Sequence, residues 1–368
     1  MSERICHITT VHSPFDTRIF HKECITLVKE GYEVILIAPH PMDEKIKRVQ
    51  LRGIPVHRNR LKRFFIGNWN VVIKAFSAKA RLYHYHDPEL FFACLLLRLC
   101  GKKIIYDMHE DLPKQVMIKN WMGSKVFRKL ISYLVKMLEW FELKMFNAII
   151  VVVPELQNRL GTNKTILLRN FPRKELAESA VPVLKSFPEP VVIYAGGLTK
   201  VRGVRELINA VALSKHNLRL WLAGKWESET FRDECKEITG WDRVIELGNL
   251  PHEEVYRYMK SSAIGMCTLY ETENVKVSLP VKGFEYMACH IPMVMSAIRY
   301  WEKIFSGCAL FCDPLNAQQI AGCIDQILDD EMLKKNMIAK SDELIANEYS
   351  WEVESLKLVR LYKHLLAK

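Results

Sequence analysis

Apolar and polar positions along the first 150 or so residues switch between a period of two and a period of 3.6, the signature of strands alternating with amphipathic helices. A strand pattern over 4–9 gives way to a helical one over 17–30, which Gly31 stops, and then to a strand over 33–38, the order of a βαβ unit. The alternation predicts a strand at 56–58, a helix over 70–79, a strand over 81–85, a helix over 89–99 and a strand over 103–107. A long helix over 124–146 and a strand over 148–153 complete this half. Between Phe171 and Pro190 four prolines stand among Lys, Glu and Ser and the periodicity lapses, so a linker is expected there. From 191 the pattern resumes, with strands over 191–195, 219–223, 244–247, 264–268, 293–296 and 309–312 and helices over 204–214, 230–239, 252–261 and 281–288. The expected fold class is α/β, with two doubly wound, Rossmann-like parallel-sheet domains over 1–175 and 176–350 facing across a cleft. A last helix over 351–368 can pack back on the first domain or stay with the second. In such sheets ligands bind beyond the carboxyl ends of the strands, which directs attention to the loops that follow them.

At 368 residues the chain exceeds what one hydrophobic core serves, in keeping with two domains. Its 49% apolar and 26% charged residues exclude a disordered or fibrous chain. The net charge of +11 is uneven: residues 1–175 hold 30 Lys and Arg against 16 Asp and Glu, and the remainder holds 23 against 26. A basic first half attracts phosphate groups on lipids, lipid-linked diphosphates or nucleic acid. The absence of a nucleic-acid-binding motif and the weakly acidic second half speak against the last. Ten cysteines are scattered without CxxC pairs, as expected of reduced core thiols in a cytoplasmic protein. No leader pattern is seen at the start, and apolar runs such as 91–97 and 148–153 fall short of the ~18 residues that span a bilayer. A peripheral place on the inner face of the cell membrane remains compatible. The helix over 124–146, with Lys125, Lys129, Lys136 and Lys144 among apolar residues, could lie on an anionic surface, but the breadth of its apolar face favours packing against the sheet.

Two runs in the second half carry candidate chemistry. The segment 194–203, YAGGLTKVRG, leads from a buried strand into a helix. Gly196 and Gly197 permit close backbone approach, the helix start offers free N–H groups, and Lys200, Arg202 and Arg205 add charge, which together suit a diphosphate. The same residues would serve an ordinary Gly-rich turn, and neither a Walker A loop nor GxGxxG is present. In the run 278–288, Ser278 is the expected N-cap and Pro280 belongs to the first turn. Lys282 and Glu285 share one face, a cation for phosphate beside an acceptor for ribose hydroxyls, or else a surface ion pair worth about 0.3 kcal/mol. In the first half Asp16, His86, Asp87, Glu89, His109, Glu110 and Asp111 fall at or beyond strand ends. The HxHD string at 84–87 and HED at 109–111 lack tetrahedral spacing and read as hydrogen-bonded cleft residues, so no metal is expected. His109, by its loop position, is the favoured functional residue, followed by Asp16.

Taken in order, these runs form a recognisable set. GGLTKVRG at 196–203, LGNLPHEEVYRYM at 247–259 and LPVKGFEYMACHIPMVMS at 279–296 resemble the donor half of glycosyltransferase family 4, the group 1 transferases of the GT-B fold. HSPFDTRIFHKECITLVKEGYEV at 12–34, YHYHDPEL at 83–90 and IIYDMHED at 104–111 are similar to its acceptor half, so the resemblance covers nearly the whole chain. It implies a retaining, metal-independent and cofactor-free hexosyltransferase. Such an enzyme moves a sugar from a UDP- or GDP-sugar to a saccharide or lipid-linked saccharide during cell-surface polysaccharide synthesis. By the same resemblance Arg202 binds the donor diphosphate with Lys200 beside it, Glu285 binds the ribose hydroxyls, Asn249 and Leu250 line the base, and His109 serves the transferred sugar, while Asp16 is a catalytic candidate by its loop position. The chain departs from the family in having Gly196-Gly197 where Gly-Arg is usual and Val277 where the first Glu of Glu-x7-Glu stands. Lys282 is the expected replacement cation and Glu271 or Glu273 the replacement sugar contact. The implied partners are donor, acceptor and an anionic membrane met through the basic first domain, with no nucleic acid. The competing readings are a nucleotide-sugar epimerase on the same fold and a non-enzymatic basic protein that binds nucleic acid or membrane.

Overall fold

The computed structural model describes residues 2–57, 59, 62–183, 188–273 and 275–367. Its contacts divide the chain into two units, Met1–Asn170 with Glu354–Lys368, and Phe171–Val353. The start of the expected linker belongs to the second unit: helix Lys174–Ser179 buries Ala177 in that unit's core, while 184–187 lie outside the described residues. The last helix, Trp351–Ala367, begins in the second unit, where Trp351 N–H donates to the Pro172 carbonyl at 2.8 Å, and from Glu354 onward it belongs to the first.

In the first unit eight strands form one sheet in the order β3-β4-β2-β1-β5-β6-β7-β8. They are β1 Arg4–Ile8, β2 Glu33–Pro39, β3 Glu44–Ile46, β4 Val49–Ile54, β5 Leu82–Tyr85, β6 Lys103–Met108, β7 Ala148–Val151 and β8 Thr165–Leu167. All pairs are parallel except the β3–β4 hairpin. The strand expected at 56–58 is not where the sheet continues: β4 ends at Ile54, and Arg58 lies outside the described residues. The central strands are buried on both faces, as unbroken runs such as Ile5–Ile8 and Ile104–Met108 require once helices cover both sides. The chain runs from β1 to β2 on one side, while β5 and β6 lie on the other, so the switch point falls between β1 and its neighbours.

The second unit is an all-parallel six-stranded sheet, β11-β10-β9-β12-β13-β14. Its strands are β9 Val191–Ala195, β10 Arg219–Ala223, β11 Val244–Gly248, β12 Ile264–Cys267, β13 Met293–Ser296 and β14 Ala309–Cys312. One core of this unit gathers Ile193, Trp221, Tyr286 and Trp301, and the other gathers Val192, Leu207, Leu222 and Ile324. Helix Val281–Ala288 reaches unusually close to the sheet because Gly265 on β12 has no side chain: a Cβ there would stand 2.4 Å from the Tyr286 ring. Tyr286 Oη is in turn held by the Met266 carbonyl at 3.1 Å. That docking fixes the helix carrying Lys282 and Glu285 at the carboxyl end of β9 and β12.

Candidate active site

In the first unit the loops after β1, β5 and β6 bring together the carboxylates of Asp16, Asp87 and Asp107 and the imidazoles of His12 and His109. Asp87 shapes the β1 loop, its Oδ2 accepting from Thr9 Oγ1 at 2.8 Å and from the Thr10 and Val11 N–H groups at 2.5 and 3.2 Å. Asp16 ends that loop, its Oδ1 accepting from the Arg18 and Ile19 N–H groups at 2.8 and 2.9 Å and starting the helical turns Ile19–Cys24. Burial pushes the Asp16 carboxyl up, but its bonds to His12 and to these backbone donors outweigh that and hold it well below the usual carboxylate range. His12, missed in the sequence, lies 3.7 Å from Asp16 and 3.4 Å from Asp87, and the bond with Asp16 raises its pKa against the effect of burial.

His109, a quarter exposed, stands 3.3 Å from Asp107 Oδ2, with its ring 5.5 Å from that of His12. Asp107 is fully buried and gripped by Arg18, whose Nε and Nη2 donate to its two oxygens at 2.9 and 3.1 Å. Burial would raise the Asp107 pKa, and the Arg18 and His109 charges prevail and depress it. His109 and Asp16 therefore belong to one loop cluster, joined through His12. The remaining sequence candidates serve structure: Glu89 accepts from Arg63 and Thr10 at 2.6 Å, Asp111 caps helix Leu112–Ile118, and Glu110 is exposed.

In the second unit a cavity of about 350 Å³ opens at the carboxyl ends of β9, β10 and β11. Gly196, Gly197, Asn249, Leu250 and Lys282 line it, together with Gly224, Lys225 and His252, which sequence reasoning did not single out. Arg202 lies against the glycine turn: a Cβ on Gly196 would come within 2.8 Å of its Nη1. Its positive charge offsets part of the burial that pushes the Tyr194 phenol up to about 12. Lys200 is exposed on the outer side of the turn, its N–H donating to Glu227 at 3.0 Å, and it does not line the cavity. Glu285 does not line it either. Its carboxylate is 3% exposed and braces two residues that do, accepting from Lys282 Nζ at 2.5 Å and lying 3.2 Å from His252 Nε2. Burial would raise the Glu285 pKa, but Lys282 and His252 bring it down to about 2.

The helix bearing these residues has Pro280 at its N-cap position and no side-chain cap. Ser278, the expected cap, instead holds Trp301 Nε1 through its carbonyl at 2.7 Å. Val277 is exposed in the preceding turn, and Glu271 and Glu273 are exposed in the same loop, with Glu273 paired to Lys276 at 3.0 Å. The signal for His252 was present in the sequence: it opens helix His252–Lys260 one turn from a strand end.

The helix Lys125–Met145 packs on the first unit's core through Leu138, Leu143 and Met145, as expected, but much of its apolar surface stays outside. Its buried residues are Ser132, Glu139 and Glu142, whereas Val126, Leu130, Tyr133, Leu134, Met137 and Trp140 are exposed. Inside, Arg159 grips Glu139 at 2.6 and 3.0 Å, and Tyr85 donates to Glu142 at 2.9 Å. No helix among the described residues is long and apolar enough to cross a membrane.

Comparison with known proteins places both units. Residues 180–344 match the family described as glycosyl transferases group 1, and residues 18–166 match glycosyltransferase family 4. A curated relative, the O-antigen chain mannosyltransferase B of Escherichia coli, is 26% identical over 220 residues. That match takes in 56% of this chain and 55% of the relative, so the chain spans about half the length of the curated relative it matches. Among solved structures, sucrose-phosphate synthase from Thermosynechococcus elongatus superposes over 99% of both chains with a TM-score of 0.73 at 20% identity. A glycosyltransferase from Rickettsia africae covers 99% of both chains with a TM-score of 0.72 at 12% identity. Anabaena HepE in complex with UDP and glucose covers 98% of this chain and 100% of its own with a TM-score of 0.69 at 12% identity. At these identities the likeness is one of fold.

Proposed function

The chain belongs to the group 1, family 4 glycosyltransferases and has their GT-B fold, and from that premise we propose that it transfers a sugar from a nucleotide diphosphate sugar to a saccharide acceptor. The observation that carries the reading is the cavity at the carboxyl ends of β9–β11, lined by a glycine turn, Lys225 and Lys282 with no acidic side chain among its lining residues, while Arg202, which does not line it, lies against that glycine turn. Backbone N–H groups and these cations suit a diphosphate, and they stabilise the charge that develops on it as the glycosidic bond breaks. We assign no metal to that step. Arg202 and Lys282 take the phosphates, and Asn249 and Leu250 border the base. Once a phosphate draws Lys282 forward, Glu285 is released to accept from the ribose hydroxyls. In the first unit His109, backed by Asp107, and His12, backed by Asp16, are the groups that contact the transferred sugar and the acceptor hydroxyl. The reaction proposed is retaining, with the leaving diphosphate assisting attack from the same face.

The relative's activity makes GDP-mannose the first donor to try, with UDP-sugars next, and O-antigen synthesis makes a lipid-linked saccharide the acceptor class. Two further features favour a lipid-bearing acceptor and a peripheral place on an anionic membrane. One is the outward apolar row of helix Lys125–Met145, flanked by Lys125, Lys129 and Lys136 on a strongly basic unit. The other is an apolar cavity of about 390 Å³ lined by Phe64, Phe65, Trp69, Val72, Phe92 and Leu96.

Thermal unfolding with GDP, UDP and ADP and their sugars tests the donor half, because a ligand that binds only the native state raises the melting temperature. At a hundred times its Kd the right nucleotide adds about 2.7 kcal/mol. Failure of all three nucleotides to stabilise the protein refutes the assignment. Transfer assayed with EDTA present, and the anomeric configuration of the product read by NMR, test metal independence and retention.

A further inference from the structure

Beneath the loop cluster of the first unit lies a second group of side chains that the transfer reaction does not use. His7 on β1 and His84 on β5 are register partners, His86 follows on the same face, and Glu23 reaches over them from the turns Ile19–Cys24. All four are buried, between 0% and 3% exposed. One donor atom from each lies within 4.8 Å of the other three. Glu23 Oε2 is 3.8 Å from His7 Nδ1, 3.8 Å from His84 Nδ1 and 3.9 Å from His86 Nε2, and His7 Nδ1 is 3.1 Å from His86 Nε2. Bonds of about 2.0–2.1 Å to a tetrahedral zinc ion separate ligand atoms by about 3.3 Å, a value these distances straddle.

The second observation is electrostatic. Neither oxygen of the fully buried Glu23 has a hydrogen-bond partner. Arg18 Nε comes within 3.0 Å of Glu23 Oε1, but that N–H is already donated to Asp107, so two buried carboxylates share one guanidinium, and Oε2 lies within 3.9 Å of all three imidazoles. Ionised there, Glu23 would carry a charge that the shared guanidinium does not fully answer, and a cation at the focus of the three rings would balance it.

We propose that His7, Glu23, His84 and His86 form a structural site for a divalent cation of the zinc class. One outer ring nitrogen already has the support such a site uses, with Tyr362 Oη 3.0 Å from His7 Nε2; Asp107 Oδ2 stands 3.3 Å from His86 Nδ1 without a hydrogen bond, and His84 Nε2 has no partner among the described residues. Tyr362 also lies 2.8 Å from His84 Nδ1, and coordination replaces that hydrogen bond and the one between His7 Nδ1 and His86 Nε2. Tyr362 belongs to helix Trp351–Ala367, so the ion ties the returning end of the chain to β1 and β5. Three nitrogens and one oxygen close a tetrahedron and leave no position for substrate, which makes the ion a staple rather than a reagent. The site lies in the first unit and does not depend on the donor assignment.

The test is the metal content of the full chain, purified without an affinity tag that binds metal, by inductively coupled plasma mass spectrometry before and after unfolding and refolding with zinc. About one zinc per chain is expected, resisting EDTA while the protein is folded and released on unfolding in urea. Refolding with cobalt gives the visible absorption of a tetrahedral Co²⁺ site. Glu23→Gln keeps the volume and removes the charge; it is expected to bind metal at least tenfold more weakly while far-UV circular dichroism is unchanged. His7→Asn serves the same purpose should that variant fail to fold. A chain that takes up less than about a tenth of an equivalent of zinc or cobalt overturns the proposal, as does metal retained in full by both variants.

Discussion

Replacing Glu285 by Gln tests the brace behind the nucleotide cavity. The carboxylate is 3% exposed and its pKa is brought down from 4.5 to about 2, equivalent to about 3 kcal/mol of native-state stability at neutral pH. His252 is 34% and Lys282 29% exposed, so solvent screening trims that to about 2 kcal/mol. Because the folded pKa is depressed, the contribution is complete above pH 4.5 and lost as pH falls from 4.5 toward 2. Glu285→Gln is expected to cost about 2 kcal/mol at pH 7, and more than half of that gap to the parent closes by pH 3. Amide hydrogen exchange in helix Val281–Ala288, followed at both pH values, reads the opening of this unit without assuming that the whole chain unfolds in one step. A gap independent of pH would show that Glu285 is neutral in the native protein and that neither Lys282 nor His252 is held by its charge.

Other expectations concern different parts of the molecule. Arg202→Lys should weaken nucleotide binding about tenfold by removing the planar fork, and adding Gly197→Arg to it should restore most of the loss; isothermal titration of the two variants decides, and an unrepaired double variant refutes the shared position. Burial pushes the Glu142 carboxyl up to about 8, against the bond from Tyr85. A raised carboxyl favours the native state below pH 4.5 and loses that contribution as pH rises toward 8, so Glu142→Gln should gain on the order of 2 kcal/mol over the parent between pH 5 and pH 8 in denaturant melts, and a pH-flat difference would count against it. Leu134→Glu with Met137→Glu, both exposed, should abolish cosedimentation with phosphatidylglycerol vesicles while leaving nucleotide binding intact; undiminished sedimentation would remove the helix from the membrane.

The parallel strands were legible because they carry unbroken apolar runs between helical stretches: β9, β10, β13 and β14 end where the periodicity ends. The hairpin β3–β4 was not, since Glu44–Ile46 is short and charged and gains its place only by pairing with β4. Helix Lys125–Met145 was recognised as a helix, and Leu138, Leu143 and Met145 pack on the core as expected, but much of its apolar surface faces outward. Periodicity reports that one face is apolar and is silent on whether that face meets the sheet, and here Arg159 and Tyr85, both distant in sequence, stabilise carboxylates on the inner face. The glycine turn and Lys282 were legible as local chemistry. The meeting of His7, His84, His86 and Glu23 was not, because register and a crossing turn, rather than spacing along the chain, bring them together.

The departures from the family's usual residues make sense in the same spatial terms. A side chain at 197 would begin 3.9 Å from the Arg202 guanidinium, so the two positions address one region and a guanidinium supplied from 202 occupies what an arginine at 197 would otherwise reach. A Cβ at 197 would make only ordinary contact with Arg202, whereas one at 196 would stand 2.8 Å from its Nη1, so Gly196 is the position that leaves room for the guanidinium. Lys282 also lines the cavity, held by the Glu285 carboxylate, which Lys282 and His252 keep ionised against the effect of burial. Charge at this cavity is therefore set by which backbone positions are left bare as much as by which carry Lys and Arg, and a change of a glycine here should alter nucleotide binding as surely as the loss of a cation.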